Sequence, residues 1–287
     1  MKVLVTGVKG QLGYDVVNEL ERRGHTAYGF DKEDMDITEA KSVARVMREI
    51  QPEAVVHCAA WTAVDAAEDN GQAVRLVNAV GTENIARECK KLNCKLLYLS
   101  TDYVFDGAGE APWLADCKEY NPLNVYGKTK LEGELAVSSL LEKYFIVRIA
   151  WVFGKNGNNF IKTMLRLSET HSQLRVVNDQ IGTPTYTYDL ARLLVDMIET
   201  EKYGYYHATN EGGFISWCEF AKEIFRRANR NVNVIPVTTA EYGLSKAARP
   251  FNSRLDKSKL AENGFKPLPT WQDALERYLK ELDNGAD

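Results

Sequence analysis

The sequence lacks the cysteine and histidine patterns that mark disulfide-rich proteins and metal sites. Its five cysteines are an odd number without a Cys-x-x-Cys pair, and its four histidines show no H-E-x-x-H or comparable spacing. These absences argue against a disulfide framework and against structural zinc. We therefore expect chemistry without a bound metal.

Long apolar runs and an excess of positive charge are missing as well. No apolar stretch approaches the roughly 20 residues that a membrane helix needs. Only three apolar residues separate Lys2 from Thr6, too few for a signal peptide. The formal net charge is −4 with scattered basic residues, which disfavours a nucleic-acid partner. We expect a soluble, cytoplasmic protein that binds neither membranes nor nucleic acid.

The N-terminal stretch predicts a strand, a glycine-rich turn and a helix in direct succession. Residues 3–6 are a short apolar run, and apolar side chains from residue 12 to residue 20 fall on one helical face. Glycine backbone in such a turn can approach a pyrophosphate closely, and the helix N-terminus offers free N–H groups to the phosphates. We therefore predict a dinucleotide site here. Its residues are Gly7, Gly10, Gln11, Leu12 and Gly13.

A second predicted strand ends in Asp31, whose carboxylate can accept hydrogen bonds from an adenosine ribose and so favour NAD over NADP. Lys32 follows directly and can face a 2′-phosphate, so NADPH and NADH both stay open as the cofactor. A solvated strand end without any ligand is the alternative for Asp31. Further along, Ile37 is placed to pack on an adenine, and Asp36 to accept from the adenine amino group.

Two more strand patterns, at residues 54–60 and 95–100, flank a predicted long helix across residues 73–85. Repeated alternation of strand and helix implies right-handed crossovers and a parallel sheet with helices on both faces. The predicted fold class is therefore α/β, a Rossmann-type doubly wound parallel sheet with its ligand at the carboxyl ends of the strands. The small side chains of Ala59 and Ala60 at one such end would let a cofactor cross closely.

Three chemically useful side chains converge on that edge of the predicted sheet. The hydroxyl of Ser100 or Thr101 stands at a strand end, and Tyr126 and Lys130 lie four residues apart on the next helix, with neighbouring side chains. A nearby cation favours the phenolate and brings the pKa of a tyrosine toward the useful range. The combination predicts proton transfer to or from a bound substrate.

In these features the chain resembles the extended short-chain dehydrogenase/reductase family. The shared pieces are the glycine-rich turn, the strand-end Ser-Thr and Tyr126-x-x-x-Lys130, in that order. Within the family it is most similar to the reductases of dTDP-4-keto-6-deoxy sugars. The stretches that carry this closer similarity are residues 57–65, 100–105, 122–130, 151–153, 178–185, 249–255 and 269–271.

The resemblance implies NAD(P)H-dependent reduction of a dTDP-sugar ketone. Hydride would reach C4 of the sugar while Tyr126 supplies a proton to the developing alkoxide and Thr101 hydrogen-bonds the carbonyl oxygen. Lys130 would hold the nicotinamide ribose and lower the pKa of the tyrosine. The resemblance adds Trp61 to the cofactor site and places Asp102 against the sugar hydroxyls.

The chain beyond residue 150 is expected to supply the substrate side of the site. Trp151 offers an aromatic face to the sugar ring, and Arg249 is the candidate for the diphosphate because a guanidinium pairs with phosphate oxygens bidentately. Asn252 and Ser253 are expected to assist. A surface arginine without a ligand is the alternative for Arg249.

No linker, repeat or low-complexity tract marks a domain boundary. We expect an NAD(P)-binding Rossmann domain at residues 1–154, to which part of residues 175–200 returns, and a substrate-binding region at residues 155–287. The oligomeric state is left open between monomer and homodimer.

Two other functions compete with the reductase. A nucleotide-sugar epimerase or dehydratase would share the fold, but related dehydratases place an acidic pair after the strand-end Thr, and here Asp102 precedes Tyr103. A non-catalytic dinucleotide-binding subunit, similar to the β subunit of methionine adenosyltransferase, would not need the Thr, Tyr and Lys set that this chain keeps.

Overall fold

A computed structural model describes residues 1–284 of the chain. Its first half alternates strands and helices. The strands are β1 (Lys2–Thr6), β2 (Thr26–Phe30), β3 (Ala54–His57), β4 (Lys95–Thr101) and β5 (Tyr144–Ile149). The helices are α1 (Gln11–Arg22), α2 (Ala40–Ile50), α3 (Val64–Ala67), α4 (Gly71–Arg75), α5 (Thr82–Leu92) and α6 (Val125–Leu140).

The second half is built of shorter strands and of helices. The strands are β6 (Val152–Phe153), β7 (Gln173–Val177), β8 (Ile181–Gly182), β9 (Thr185–Tyr186), β10 (Gly204–His207), β11 (Ile215–Ser216) and β12 (Asn233–Val237). The helices are α7 (Phe160–Ser168), α8 (Thr187–Ile198), α9 (Trp217–Arg227), α10 (Thr239–Tyr242), α11 (Ser258–Glu262) and α12 (Trp271–Asn284).

The central sheet is parallel and has the order β10-β5-β4-β3-β1-β2. Side chains alternate across it, so that Val3 and Val5 join a core with α1 and α8, whereas Leu4 joins a core with α2, α5 and α6 on the other face. Apolar cover on both faces is what a doubly wound sheet requires. The predicted fold class is confirmed.

The second half contributes to the same sheet and also forms a core of its own. Strand β10 pairs with β5 in parallel, and α8 packs beside α1. A separate aromatic core surrounds Phe153, Phe220 and Tyr278. The predicted division at residue 154 stays a prediction, and residues 285–287 of its second region lie outside the described chain.

The predicted long helix at residues 73–85 is present, and the helical segment runs without a break from Gly71 to Leu92 with a π-helical turn inside it. The chain forms the short α4, then a π-helical turn at Leu76–Gly81, then α5. Asn78 lies inside the π-turn and is fully buried. Its side-chain amide donates to the Thr129 hydroxyl at 3.2 Å, and its side-chain carbonyl accepts from the Trp61 backbone N–H at 2.8 Å. A π-turn widens a helix locally and is frequent near functional sites. Here it turns a polar side chain toward the helix that carries Tyr126.

A buried ion pair joins α6 to the sheet. Arg148 of β5 and Glu134 of α6 are both fully buried, and the guanidinium meets the carboxylate with two hydrogen bonds of 2.9 and 2.8 Å. The same guanidinium donates to the Ala115 carbonyl at 3.2 Å and to the Tyr120 hydroxyl at 3.1 Å. Such a pair tolerates burial only because further hydrogen bonds satisfy it.

Of the helices within residues 1–284, none has the length and apolar character needed to span a bilayer.

Candidate active site

A cleft of about 650 Å³ opens along the carboxyl ends of β1, β3, β4 and β5. Most residues proposed from the sequence meet in it. Those that line the cleft are Gly7, Gly10, Gln11, Leu12, Gly13, Asp31, Asp36, Ile37, Ala59, Ala60, Thr101, Asp102, Tyr126, Lys130 and Trp151. Four others, Trp61, Arg249, Asn252 and Ser253, belong to the described chain but not to this lining.

The glycine-rich turn has the shape that a dinucleotide needs. Gly7 has φ +72°, a left-handed backbone that side chains disfavour, and a Cβ there would come within 2.8 Å of the Ala59 nitrogen. A Cβ on Gly13 would overlap the Gly7 carbonyl. Helix α1 begins at Gln11 without a side-chain cap, so the N–H groups of its first turn are available to an anion. The residues present therefore fit a pyrophosphate.

The adenosine end of the cleft is partly organised in advance. Asp31 accepts the Lys9 backbone N–H at 2.8 Å and so ties the end of β2 to the glycine-rich turn. One Asp36 oxygen accepts from both the N–H and the hydroxyl of Thr38, at 2.9 and 2.7 Å. Ile37 packs on Gly81 of the π-turn, where a Cβ would meet its side chain at 2.8 Å. Contacts of these three residues with a cofactor stay predictions.

The catalytic side of the cleft assembles on β4 and α6. Asn124 caps α6 by accepting the Gly127 N–H at 2.8 Å, which starts the helix one residue before Tyr126. Lys130 is buried, donates to the Leu99 carbonyl at 2.6 Å, and lies 4.1 Å above the Tyr98 ring. The backbone of β4 thus positions the ammonium that α6 carries.

Burial controls the titration of this pair. Burial raises the pKa of Tyr126 well above its usual value, and the neighbouring Asp102 acts in the same direction, whereas the Thr101 hydroxyl beside the phenol opposes them. Burial lowers the pKa of Lys130 to about 7. Desolvation of the phenol is the largest cause of the shift, and the Lys130 ammonium is turned to the Leu99 carbonyl. The predicted lowering of the tyrosine pKa by Lys130 stays a prediction. A high pKa keeps Tyr126 protonated at neutral pH, as a proton donor must be.

Asp102 is a buried carboxyl next to the reacting side chains. One oxygen accepts the Thr101 hydroxyl at 3.0 Å, and the other has no hydrogen-bond partner within residues 1–284. Burial raises the pKa of this carboxyl to about 6, although the nearby Ser253 and Thr101 hydroxyls oppose the rise. An unpaired buried carboxyl oxygen is costly and stays available to a hydroxyl donor in the cleft.

Replacing Asp102 with Asn should stabilise the fold at neutral pH. The folded carboxyl holds its proton up to about pH 6, and the unfolded chain releases it near 3.8, so the wild-type free energy of unfolding falls as pH rises through that window. The isosteric amide buries no charge. Above pH 6 the free energy of unfolding of the variant should therefore exceed that of wild type by about 2–3 kcal/mol. Urea unfolding at several pH values measures the gap between variant and wild type. This difference in the free energy of unfolding should disappear below about pH 4.

The exposed Asp34→Asn is the matched control for this measurement and should leave stability unchanged at every pH. A gap of constant size across the whole pH range would contradict burial of the Asp102 charge as its cause.

Trp151 lies between β5 and β6 in a strained conformation. Its φ is +51°, and its indole stacks on Trp217 with ring centroids 3.7 Å apart. Gly182 makes room for the indole, because a Cβ there would come within 2.9 Å of it and within 3.1 Å of Ser253. A non-glycine residue held at positive φ is typical of functional sites. The contact of Trp151 with a sugar stays a prediction.

The remaining predicted residues are engaged within the protein. Arg249 binds Asp65 at 2.6 Å and the Tyr103 hydroxyl at 3.2 Å. Asn252 is buried and donates to the Ala108 and Ala111 carbonyls at 3.3 and 2.9 Å. Trp61 donates its indole N–H to the Ala63 carbonyl at 3.3 Å. Their predicted contacts with ligands stay predictions.

Tyr103 and Asn78 are polar residues of this region that sequence reasoning did not propose for the site. Tyr103 lines the cleft and meets Tyr126 edge to face at 5.5 Å. Asn78 connects the Trp61 backbone to Thr129, one residue before Lys130. A lone Asn within the apolar run at residues 76–80 was the available signal for the second. No local pattern distinguishes Tyr103 from a core aromatic residue.

No group of three or more His, Cys, Asp or Glu side chains within residues 1–284 is arranged to hold a metal ion.

Comparison with known proteins assigns this chain to a family. The family model described as the RmlD substrate binding domain matches residues 1–284. The chain belongs to this family. Among curated relatives, dTDP-4-dehydrorhamnose reductase of Escherichia coli K12 is 36% identical, with 98% of each chain covered. Spore coat polysaccharide biosynthesis protein SpsK of Bacillus subtilis strain 168 is 38% identical, with 100% of this chain and 99% of that protein covered.

A solved structure extends the similarity of this RmlD-family chain to three dimensions. The crystal structure of dTDP-4-dehydrorhamnose reductase from Bacillus anthracis in complex with NADP is 44% identical in sequence and superposes with a TM-score of 0.94, covering 98% of this chain and 99% of that chain. The resemblance predicted from the sequence is confirmed.

Proposed function

We propose that this RmlD-family chain reduces the C4 ketone of dTDP-4-dehydro-6-deoxy-L-mannose (dTDP-4-dehydrorhamnose) with NADPH or NADH to give dTDP-L-rhamnose, the last step of dTDP-rhamnose formation for cell-surface polysaccharide. The observation that carries the proposal is that Thr101, Tyr126 and Lys130 share one cleft with a glycine-rich turn. Similarity along the whole chain to reductases of this name supports the same substrate.

The cofactor would lie across the glycine-rich turn, with Asp31, Asp36 and Ile37 at its adenosine end. The glycine backbone and the first turn of α1 would hold the pyrophosphate. When bound, the nicotinamide supplies a hydride to C4 of the sugar. Lys130 would hold the nicotinamide ribose with the N–H groups that the Leu99 carbonyl leaves free.

Tyr126 would donate the proton that turns the developing alkoxide into the product hydroxyl. Its raised pKa keeps that proton in place until the oxygen becomes basic. The Thr101 hydroxyl now donates to Asp102 and would rotate to donate to the sugar oxygen instead. Asp102 is then free to accept from a sugar hydroxyl, and Trp151 would flank the ring.

The direct test is reduction of the purified candidate substrate. Purified protein is given dTDP-4-dehydrorhamnose with NADPH or NADH, and the loss of nicotinamide absorbance is followed together with product identity by mass spectrometry and NMR. Incubation with dTDP alone is the control. Absence of turnover with both cofactors would contradict the proposal.

Lys32 should control the use of NADPH more than that of NADH. Lys32 is exposed, lines the cleft and follows Asp31, so its ammonium can meet a 2′-phosphate that NADH lacks. Replacing Lys32 with Ala should raise the KM for NADPH about tenfold, the effect of losing one charge-assisted contact, and leave that for NADH unchanged. Steady-state kinetics with both cofactors measure this. The exposed Lys41→Ala on α2 is the control, and equal changes for both cofactors would contradict this role of Lys32.

A further inference from the structure

A short loop from the C-terminal half of the chain packs against the N-terminus of helix α6. Residues 245–250, which we call the strap, contact the segment around α3 and the cap of α6. The Ala247 N–H donates to Asp65 at 3.0 Å, Lys246 forms an ion pair with Asp69, and the Ala248 carbonyl accepts from Asn124 at 2.8 Å. The residue that caps the Tyr126 helix is therefore also held by the strap.

Arg249 makes the polar contacts of the strap that lie nearest to the cleft. Its guanidinium spans the Asp65 carboxylate, the Tyr103 hydroxyl and the Ser245 hydroxyl, at 2.6, 3.2 and 3.2 Å. The side chain is only 25% exposed, and it does not belong to the cleft lining, whereas Tyr103 does. Arg249 reaches the site through Tyr103.

Tyr103 is fixed on three sides. Its N–H donates to the Thr101 hydroxyl at 3.2 Å, and its carbonyl packs so tightly on Gly127 of α6 that a Cβ at that glycine would overlap it. Its ring meets the Tyr126 ring edge to face, with centroids 5.5 Å apart and planes at 77°. The hydroxyl end of Tyr103 is the part that Arg249 holds. Rotation of Tyr103 would remove the ring against which the proton donor rests.

We propose that Arg249 is a positioning residue, which, clamped by Asp65, holds Tyr103 against the proton donor Tyr126. The inference rests on the proposed reductase function. It differs from the diphosphate contact expected from the sequence, because a positioning residue affects turnover and a phosphate ligand affects binding.

Kinetics of Arg249→Ala and Tyr103→Phe separate the two roles. A small misplacement of a reacting group lowers kcat by about ten- to a hundredfold. We expect that loss in Arg249→Ala, with unchanged KM for the dTDP-sugar and unchanged Kd for dTDP by calorimetry. The double variant should be no slower than the worse single variant, and added guanidine should restore part of the kcat of Arg249→Ala. Arg87→Ala, which removes an exposed ion pair on α5, is the matched control and should leave kcat unchanged.

Two results would overturn the proposal. The first is an unchanged kcat in Arg249→Ala; if the KM for the sugar nucleotide and the Kd for dTDP rise at the same time, Arg249 is a phosphate ligand. The second is additive losses of kcat in the double variant.

The readout from Tyr103 itself does not depend on turnover. With 3-fluorotyrosine at position 103, the fluorine NMR signal should shift in Arg249→Ala and not in Arg87→Ala. Wild-type protein without activity on the dTDP-sugar would refute the proposed function alone, and an unshifted fluorine signal would refute the Arg249 contact alone.

Discussion

Replacing Tyr126 with Phe is expected to abolish nearly all turnover while cofactor binding persists. The variant keeps the ring that packs against Tyr103 and loses only the hydroxyl that can donate a proton. Protonation by a positioned side chain contributes about 10²- to 10⁴-fold to rate. Because the phenol would, in the proposed reaction, also donate a hydrogen bond to the developing alkoxide, we expect a loss near the upper end of that range.

Two measurements test this role of Tyr126. Stopped-flow or steady-state oxidation of NADPH gives the turnover, and fluorescence titration gives the cofactor Kd. Tyr188→Phe is the matched control, because Tyr188 is 48% exposed on α8 and does not line the cleft. Residual activity within a few-fold of wild type would exclude Tyr126 as the proton donor, and loss of cofactor binding would assign it a structural part instead.

Replacing Glu134 with Leu is expected to produce the largest loss of stability. The substitution leaves the fully buried Arg148 guanidinium without its carboxylate, and breaking one side of a buried ion pair typically costs about 3–5 kcal/mol. The kcat should also fall, because Glu134 lies one turn after Lys130 on α6 and favours the ammonium form of that lysine. Urea unfolding followed by circular dichroism gives the free energy of unfolding.

Helix α6 provides its own control for the Glu134 experiment. Glu132 forms an exposed ion pair with Arg75, so Glu132→Leu should change the free energy of unfolding by less than about 1 kcal/mol. The double variant Glu134→Leu with Arg148→Met should recover most of the lost stability, since no unpaired charge stays buried. Equal effects at Glu134 and Glu132 would show that burial of the pair does not matter.

Local patterns predicted the parts of the site that are local in the chain. The strand, turn and helix around Gly7 follow from apolar periodicity and glycine spacing. The pairing of Tyr126 with Lys130 follows from the helical repeat, and the position of Thr101 follows from the rule that ligands lie at the carboxyl ends of parallel strands. Each of these features can be recognised from a short, continuous part of the sequence.

Features that depend on tertiary contacts were beyond this reasoning. The raised pKa of Tyr126 results from burial by segments far apart in the chain, which no spacing rule contains. The ion pair of Arg249 with Asp65 joins residues that lie 184 positions apart in the chain. The π-turn at Asn78 differs from an ordinary helix by one residue of hydrogen-bond register, and the apolar pattern around it is helical in either case.

The edge strand β10 has a consequence for synthesis on the ribosome. The sheet is complete only when residues 204–207 pair with β5, and the face that α1 covers also needs α8, which ends at residue 198. Translation adds about 5–20 residues per second, so several seconds pass between the synthesis of β5 and that of β10. During this time β5 is an open, apolar edge of the sheet. An open edge of this kind invites pairing with other chains. The nascent chain is thus open to such pairing at β5 from the completion of that strand until β10 emerges.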